Sequence, residues 1–139
     1  MAEIVRFGVS IDQELLEAFD RKIVMKGYAN RSEAIRDLIR NELVETEWSD
    51  DDEEVAGTIT LVYDHHVRGL NDLLLELQHR YVDLIVSTMH VHLAHDRCLE
   101  VLLIKGPAGE AKEVANRLLA VRGVIHGRLT ATSTGEKLK

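Results

Sequence analysis

The chain has 139 residues, enough for one ordinary domain or two small ones with a buried core. Its net charge of −7 argues against a general polyanion binder, so any contact with nucleic acid must come from a local arrangement of residues. The single cysteine cannot form an internal disulfide, which fits a reducing cytoplasm and leaves a thiolate free for metal. With no apolar run long enough to span a bilayer and no signal-peptide pattern, we expect a cytoplasmic protein without membrane contact.

The N-terminal 46 residues predict one strand followed by two helices. Residues 6–11 alternate between an apolar face and a second face that carries Arg6, Gly8 and Ser10. Asp12 or Ser10 caps the first helix, and Asn30 with Glu33 forms a capping box for the second. Because a lone strand has two unpaired edges, we expect it to pair with the same strand of another chain in an obligate dimer.

This order of elements resembles the ribbon-helix-helix DNA-binding fold, and residues 27–36 (GYANRSEAIR) resemble its second-helix signature. The resemblance implies that the ribbon enters the major groove of double-stranded operator DNA. The side chains that would meet base edges are Arg6, Gly8 and Ser10, although Gly8 supplies no reading group. Backbone N–H groups around Asn30, Arg31 and Ser32 would hold a phosphate. The alternative is a dimerisation module with a solvated ribbon face.

An acidic stretch divides the chain near its middle. Residues 45–54 (ETEWSDDDEE) contain little core-forming material and predict a linker. We therefore expect a ribbon-helix-helix domain at residues 1–47, an acidic linker at 48–54 and a second domain at 55–139.

The second half predicts the order βαββαβ, which is the ferredoxin-like pattern of a four-stranded antiparallel sheet with two helices on one face. It resembles the ACT-type regulatory domain, whose copies usually pair with one another and place ligands at the interfaces. The fold class expected for the whole chain is α+β.

The most informative stretch is the predicted hairpin of residues 88–104, which carries the only cysteine. With a three-residue turn, Ala94 pairs with Cys98 and Glu100 lies opposite His92, so that four polar side chains share one face: His90, His92, Cys98 and Glu100. Two imidazoles and a thiol suit a borderline or soft transition-metal ion. The alternative is a polar sheet face with Cys98 as a small buried hydrophobe.

Together the two halves resemble the nickel-responsive ribbon-helix-helix repressors, the NikR family. The resemblance implies that Ni(II) is bound by His90, His92 and Cys98 of one subunit and by His79 of a neighbour. It also implies a homotetramer formed through the C-terminal domains, and a potassium-like cation held between the domains by Glu33 and Asp37.

The positions of three further histidines and one acid indicate their roles. We expect His65 and His66 to be solvated, with a weak metal site there as the less favoured reading. His95 is a turn residue or an alternative ligand, and Glu100 is either an acceptor that orients His92 or an ordinary cross-strand partner.

We therefore expect a transcriptional repressor in which nickel promotes operator binding, and not an enzyme. The alternatives are a ribbon-helix-helix regulator that senses another metal or a small molecule through its ACT-like domain, and a metalloenzyme with an open coordination position.

Overall fold

The computed structural model describes residues 2–139, which form two compact units. One unit comprises the residues up to Leu43 together with Lys137–Lys139, and the other is Val44–Glu136. The elements follow in the order α1 (Gln13–Met25), α2 (Arg31–Ser49), β1 (Glu54–Asp64), α3 (Leu70–Arg80), β2 (Ile85–His92), β3 (Arg97–Pro107), α4 (Ala108–Leu119) and β4 (Val124–Thr132). No helix within residues 2–139 is long and apolar enough to cross a membrane.

The two helices of the first unit begin at the predicted caps. The Asp12 carboxylate accepts a hydrogen bond from the backbone N–H of Glu14 at 2.9 Å, and the Asn30 side chain accepts one from that of Glu33 at 2.9 Å. Gly27, which follows α1, has a φ of +82°, a conformation that glycine adopts without a steric penalty. Local sequence signals therefore determine where these helices start and where α1 ends.

Residues 2–12 form neither helix nor strand in the single chain, so the strand predicted at residues 6–11 is not formed there. A strand needs a hydrogen-bonded neighbour, and no strand of residues 2–139 lies beside this segment. Its apolar side chains are uncovered, with Phe7 at 69% and Val9 at 68% exposure. Pairing with a second chain, which would cover them, stays a prediction.

The acidic stretch differs from the predicted linker, because α2 continues through Ser49. Trp48 is buried in the core of the second unit, and its indole N–H donates to the carbonyl of Thr132 at 2.7 Å. This tryptophan belongs to the core, although the acidic residues around it predict a solvated segment. The expected domain boundaries stay a prediction.

The turn after α2 is attached to the start of α4. The backbone N–H groups of Ala108 and Gly109 donate to the carbonyls of Glu53 and Asp51 at 2.9 and 3.0 Å. The Lys112 ammonium lies 2.7 Å from the Asp51 carboxylate. The turn thus satisfies amide groups that would otherwise be unpaired at the N-terminus of α4.

The second unit contains a four-stranded antiparallel sheet in the order β2-β3-β1-β4. Strand β1 lies in the centre between β3 and β4, as the ferredoxin-like pattern requires. The predicted α+β fold class is confirmed.

One face of this sheet is buried with helices α3 and α4. Alternate residues of β1 and β3 are buried, as expected for strands with a single covered face. The core contains Ile59, Leu61, Leu102, Ile104 and Leu118, each fully buried. Cys98 lies on the same face and in the same core cluster, so the candidate ligand projects from the buried core of the unit.

Candidate metal centre

The hairpin register differs by two positions from the prediction. His92 lies opposite Cys98, and His90 lies opposite Glu100. A three-residue turn was wrong: residues 93–96 form a four-residue loop, in which the N–H groups of Leu93 and Ala94 both donate to the carbonyl of Arg97. Because the shift is even, the four polar side chains remain on one face of the sheet, as predicted.

Cys98 is the centre of the cluster. Its side chain is fully buried, and its Sγ lies 3.0 Å from Nδ1 of His65 and 3.5 Å from Nδ1 of His92. Burial, and then the carboxylates of Glu100 and Asp64, raise the pKa of the Cys98 thiol. The neutral thiol is therefore favoured until a cation stabilises the thiolate, as metal binding does.

His65 was wrongly predicted to be solvated. It follows the last residue of β1, and Tyr63, two residues earlier, lies opposite Cys98 in the ladder between β1 and β3. Burial, and then the charge of His66, lower the pKa of His65, which favours the neutral imidazole that a metal requires. The predicted ferredoxin-like strand order could have indicated the contact between His65 and Cys98, because it places the end of β1 beside the start of β3.

The predicted nickel ligands are brought together only in part. Among residues 2–139, the donor atoms of His65, His92 and Cys98 all lie within 4.8 Å of one another. His90 borders this group, with its ring centroid 5.3 Å from that of His92. His79 is exposed on the last turn of α3 and lies outside the group. The ligand set that includes His79 and His90 stays a prediction, and it requires a second chain.

Glu100 connects α3 to the sheet and does not orient His92. Its side chain is buried, and its two oxygens accept hydrogen bonds from the Tyr63 hydroxyl at 2.8 Å and from the Gln78 amide at 2.7 Å. Burial, followed by the hydrogen bond to Glu100, raises the pKa of Tyr63. The residue after Gln78 is His79, so this network holds the turn of α3 that carries a predicted ligand.

His66 and His95 form an exposed pair beside the group around Cys98, since the ring centroid of His66 also lies 4.2 Å from that of His65. The ring centroids of His66 and His95 lie 5.2 Å apart, and the Asp64 carboxylate lies 3.8 Å from Nδ1 of His66. Neither ring belongs to the three-donor group around Cys98. The role of His95 as an alternative ligand stays a prediction.

The predicted DNA-contacting residues are exposed. Arg6, Gly8 and Ser10 lie in the uncovered N-terminal segment, and Ser32 lies at the start of α2. The Arg31 guanidinium donates two hydrogen bonds, each 2.8 Å long, to the carboxylate of Asp20. The Asn30 side chain is occupied as the cap of α2. The candidates for phosphate binding in this turn are therefore its backbone N–H groups and not that side chain.

The predicted cation-binding acids have different environments. Asp37 is half-buried and accepts hydrogen bonds from the Tyr28 hydroxyl at 2.7 Å and the Arg40 guanidinium at 3.2 Å. These donors lower the pKa of Asp37, with Tyr28 the larger cause. Glu33 is exposed. A cation would have to share or displace the donors that already hold Asp37.

Comparison with known proteins agrees with this architecture. Residues 56–132 match the NikR C-terminal nickel-binding domain, and residues 5–46 match the ribbon-helix-helix proteins of the copG family. These matches define a two-domain regulator with a ribbon-helix-helix region and a nickel-binding type of domain.

Curated relatives match over nearly the whole chain. A protein of Geobacter sulfurreducens is 59% identical over 138 residues, covering 99% of each chain. One of Thermococcus onnurineus is 57% identical over 136 residues, covering 98% of this chain and 99% of its own. Both carry names that describe them as nickel-responsive regulators. The chain belongs to the NikR family.

A solved structure resembles part of this chain in fold. An uncharacterized protein from Thermotoga maritima superimposes with a TM-score of 0.52 at 15% identity, covering 57% of this chain and 98% of its own. At that identity the likeness concerns the fold alone.

Proposed function

We propose that the protein is a nickel-dependent transcriptional repressor, in which Ni(II) bound between subunits promotes operator binding by paired N-terminal ribbons. The observation that carries this proposal is the position of Cys98: a buried thiol with imidazole nitrogens at 3.0 and 3.5 Å. Thiolate and imidazole ligands suit nickel and its neighbours among the transition metals. The names of the relatives agree with this chemistry.

The proposed nickel ligands are His90, His92 and Cys98 of one subunit and His79 of another. The first three lie on one sheet face in a hairpin whose register fixes their spacing. The fourth projects from a helix end held to the same sheet by the hydrogen bond between Gln78 and Glu100. Its exposure in the single chain leaves it free to reach a neighbouring subunit. When bound, nickel would supply bonds that join the two subunits.

The proposed DNA-binding surface is a two-stranded ribbon formed by residues 6–11 of two chains. The exposed apolar side chains Phe7 and Val9 support it, because pairing and docking of the ribbon would bury them. The opposite face would present Arg6 and Ser10 to base edges, with Gly8 permitting close approach. The N-terminus of α2 would hold a backbone phosphate.

Coupling between the two sites requires that metal favour one arrangement of the tetramer over others. Bonds from two subunits to one ion would stabilise the arrangements that bring His79 close to the hairpin of a neighbour. If those arrangements place both ribbons against two half-sites on one DNA face, operator affinity rises by the same free energy.

The acids Glu33 and Asp37 are the proposed ligands of a potassium-like cation between the domains. The half-buried position of Asp37 supports a role beyond solvation, although Tyr28 and Arg40 already donate to it. Replacing sodium by potassium in the binding buffer should strengthen operator binding by the native protein, and not by Asp37→Asn.

An anisotropy titration tests the coupling. The probe is a fluorescent DNA duplex selected from a random pool in the presence of nickel, and it is titrated with nickel-loaded and with chelator-treated protein. A coupling of about 1–3 kcal/mol corresponds to a 5–150-fold change in affinity. Arg6→Ala should weaken binding to this duplex by about 1–3 kcal/mol and relax sequence specificity at the base that Arg6 reads. Equal affinity with and without nickel would refute the coupling.

A further inference from the structure

We propose that Asp20 limits the sequence-independent affinity of the protein for DNA by holding the Arg31 guanidinium away from the phosphate backbone. Both residues belong to the first unit, with Asp20 on α1 and Arg31 as the first residue of α2. The inference rests on the proposed function, because it concerns the phosphate that the N-terminus of α2 would hold.

The ion pair uses the same donors with which an arginine binds a phosphate. Nε and Nη2 of Arg31 donate to different oxygens of the Asp20 carboxylate, each at 2.8 Å. Arginine makes this two-pronged contact with carboxylates and with phosphates alike, because both present two oxygens at a matching separation. While the pair is closed, this edge of the guanidinium cannot bind DNA.

The pair lies where a phosphate would compete for it. Arg31 directly follows Asn30, whose side chain caps α2, so it begins the turn whose backbone N–H groups are the proposed phosphate donors. The side chains of Arg31 and Asp20 are 56% and 38% exposed, so DNA can reach both. The hydrogen bond from Arg31 lowers the pKa of Asp20, which keeps the carboxylate charged at neutral pH and able to hold the guanidinium.

The charge balance of the N-terminal region makes the pair consequential. Residues 1–46 carry seven basic and nine acidic side chains, so each cation that reaches a phosphate matters. Contacts between cations and phosphates supply nearly all of the affinity that does not depend on sequence. A closed pair therefore lowers affinity for any duplex and leaves the phosphate to uncharged backbone amides. The affinity that the protein has for DNA without its metal is thereby kept low.

The salt dependence of binding to DNA of no fixed sequence tests the pair. A fluorescent duplex of random sequence is titrated with chelator-treated, full-length protein, and anisotropy is recorded at several NaCl concentrations. In Asp20→Asn, the slope of log affinity against log salt should become steeper by about 0.9 for each Arg31 that reaches a phosphate. For the two chains of a ribbon dimer, the affinity lost between about 50 and 200 mM salt should then be about tenfold larger than for the native protein.

Two further proteins separate the release of Arg31 from a general change of charge. Glu17→Gln removes the same charge from an exposed residue of α1, whose carboxylate accepts from Gln13 of the same helix at 3.0 Å, and should keep the native slope. Asp20→Asn combined with Arg31→Ala has neither the pair nor a released cation, so its slope should also be native. Asp20→Ala should behave like Asp20→Asn, and far-ultraviolet circular dichroism should show the same helix content in every variant.

Three results would overturn the inference. They are an unchanged slope in Asp20→Asn, an equal steepening in Glu17→Gln, and a double variant with a shallower slope than the native protein. The last result would mean that Arg31 already contacts a phosphate in the native protein. Failure of the proposed function looks different, because operator binding that ignores nickel leaves these metal-free slopes intact, whereas a protein that binds no duplex at all refutes both proposals.

Discussion

The buried carboxylate of Glu100 makes a quantitative prediction possible. In Tyr63→Phe, a hydroxyl is removed that donates to Glu100 across 2.8 Å, in a region where both side chains are buried. A hydrogen bond to a charged group contributes about 1.5–3 kcal/mol. Because Gln78 still donates to the other oxygen, we expect a loss of about 2 kcal/mol in the free energy of unfolding.

The assay is guanidinium unfolding followed by the fluorescence of Trp48, the only tryptophan, which is buried in the core of the second unit. Metal is removed with a chelator and protein concentration is held fixed, since ligands and subunits stabilise the folded state by mass action. The matched control is Tyr81→Phe, a change at a half-buried tyrosine whose hydroxyl donates to none of the other residues from 2 to 139. We expect the control to lose less than about 0.5 kcal/mol.

Equal losses in the two variants would refute the reasoning. They would mean that the Tyr63 hydroxyl exchanges its carboxylate partner for water at no cost, and that the region around Glu100 is wetter than its burial indicates.

Two other changes test local geometry. Gly57→Ala places a Cβ 2.7 Å from the Thr130 carbonyl and 3.3 Å from the Trp48 indole, so it should lower the free energy of unfolding by about 1–3 kcal/mol. The control, Gly8→Ala, places its Cβ within 4 Å of nothing and should change that free energy little. Equal losses in the two variants would contradict the close packing around Gly57. The Arg31 hydrogen bond lowers the pKa of Asp20, so the stability this pair contributes is complete above the ordinary aspartate pKa and is lost as pH falls through the lowered value. A carboxyl titration by NMR should show the Asp20 pKa rising toward about 3.9 in Arg31→Ala, and an unchanged value would show that the ion pair does not form in solution.

Local patterns predicted most of the fold. Asp12 and Asn30 were recognised as caps because a short polar side chain before an apolar helical repeat satisfies the free amides of the first turn. Alternating side chains identified the strands, and the βαββαβ order then specified the sheet. Trp48 was misjudged because its acidic neighbours dominate the composition of residues 45–54, while its burial depends on contacts with distant residues such as Thr132.

The candidate site was predicted less completely, for a physical reason. His92 and Cys98 lie six residues apart in one hairpin. Because side chains alternate between the two faces along each strand, shifting the register by an even number of residues keeps both on one face. His65 is 33 residues from Cys98, and only the pairing of β1 with β3 joins them. The turn length that sets the register depends on hydrogen bonds within residues 93–97, which composition does not specify.

Subunit mixing tests the central claim, that one nickel ion is shared by two chains, most directly. His79→Ala and Cys98→Ala are each loaded with nickel alone, and then after the two variants are unfolded and refolded together. We predict that neither variant alone shows the thiolate-to-nickel charge-transfer absorption, and that the mixture recovers part of it, because His79 of one variant meets the intact hairpin of the other. A mixture that lacks the charge-transfer absorption, as the separate variants do, would contradict the account. A full native band in His79→Ala alone would also contradict it.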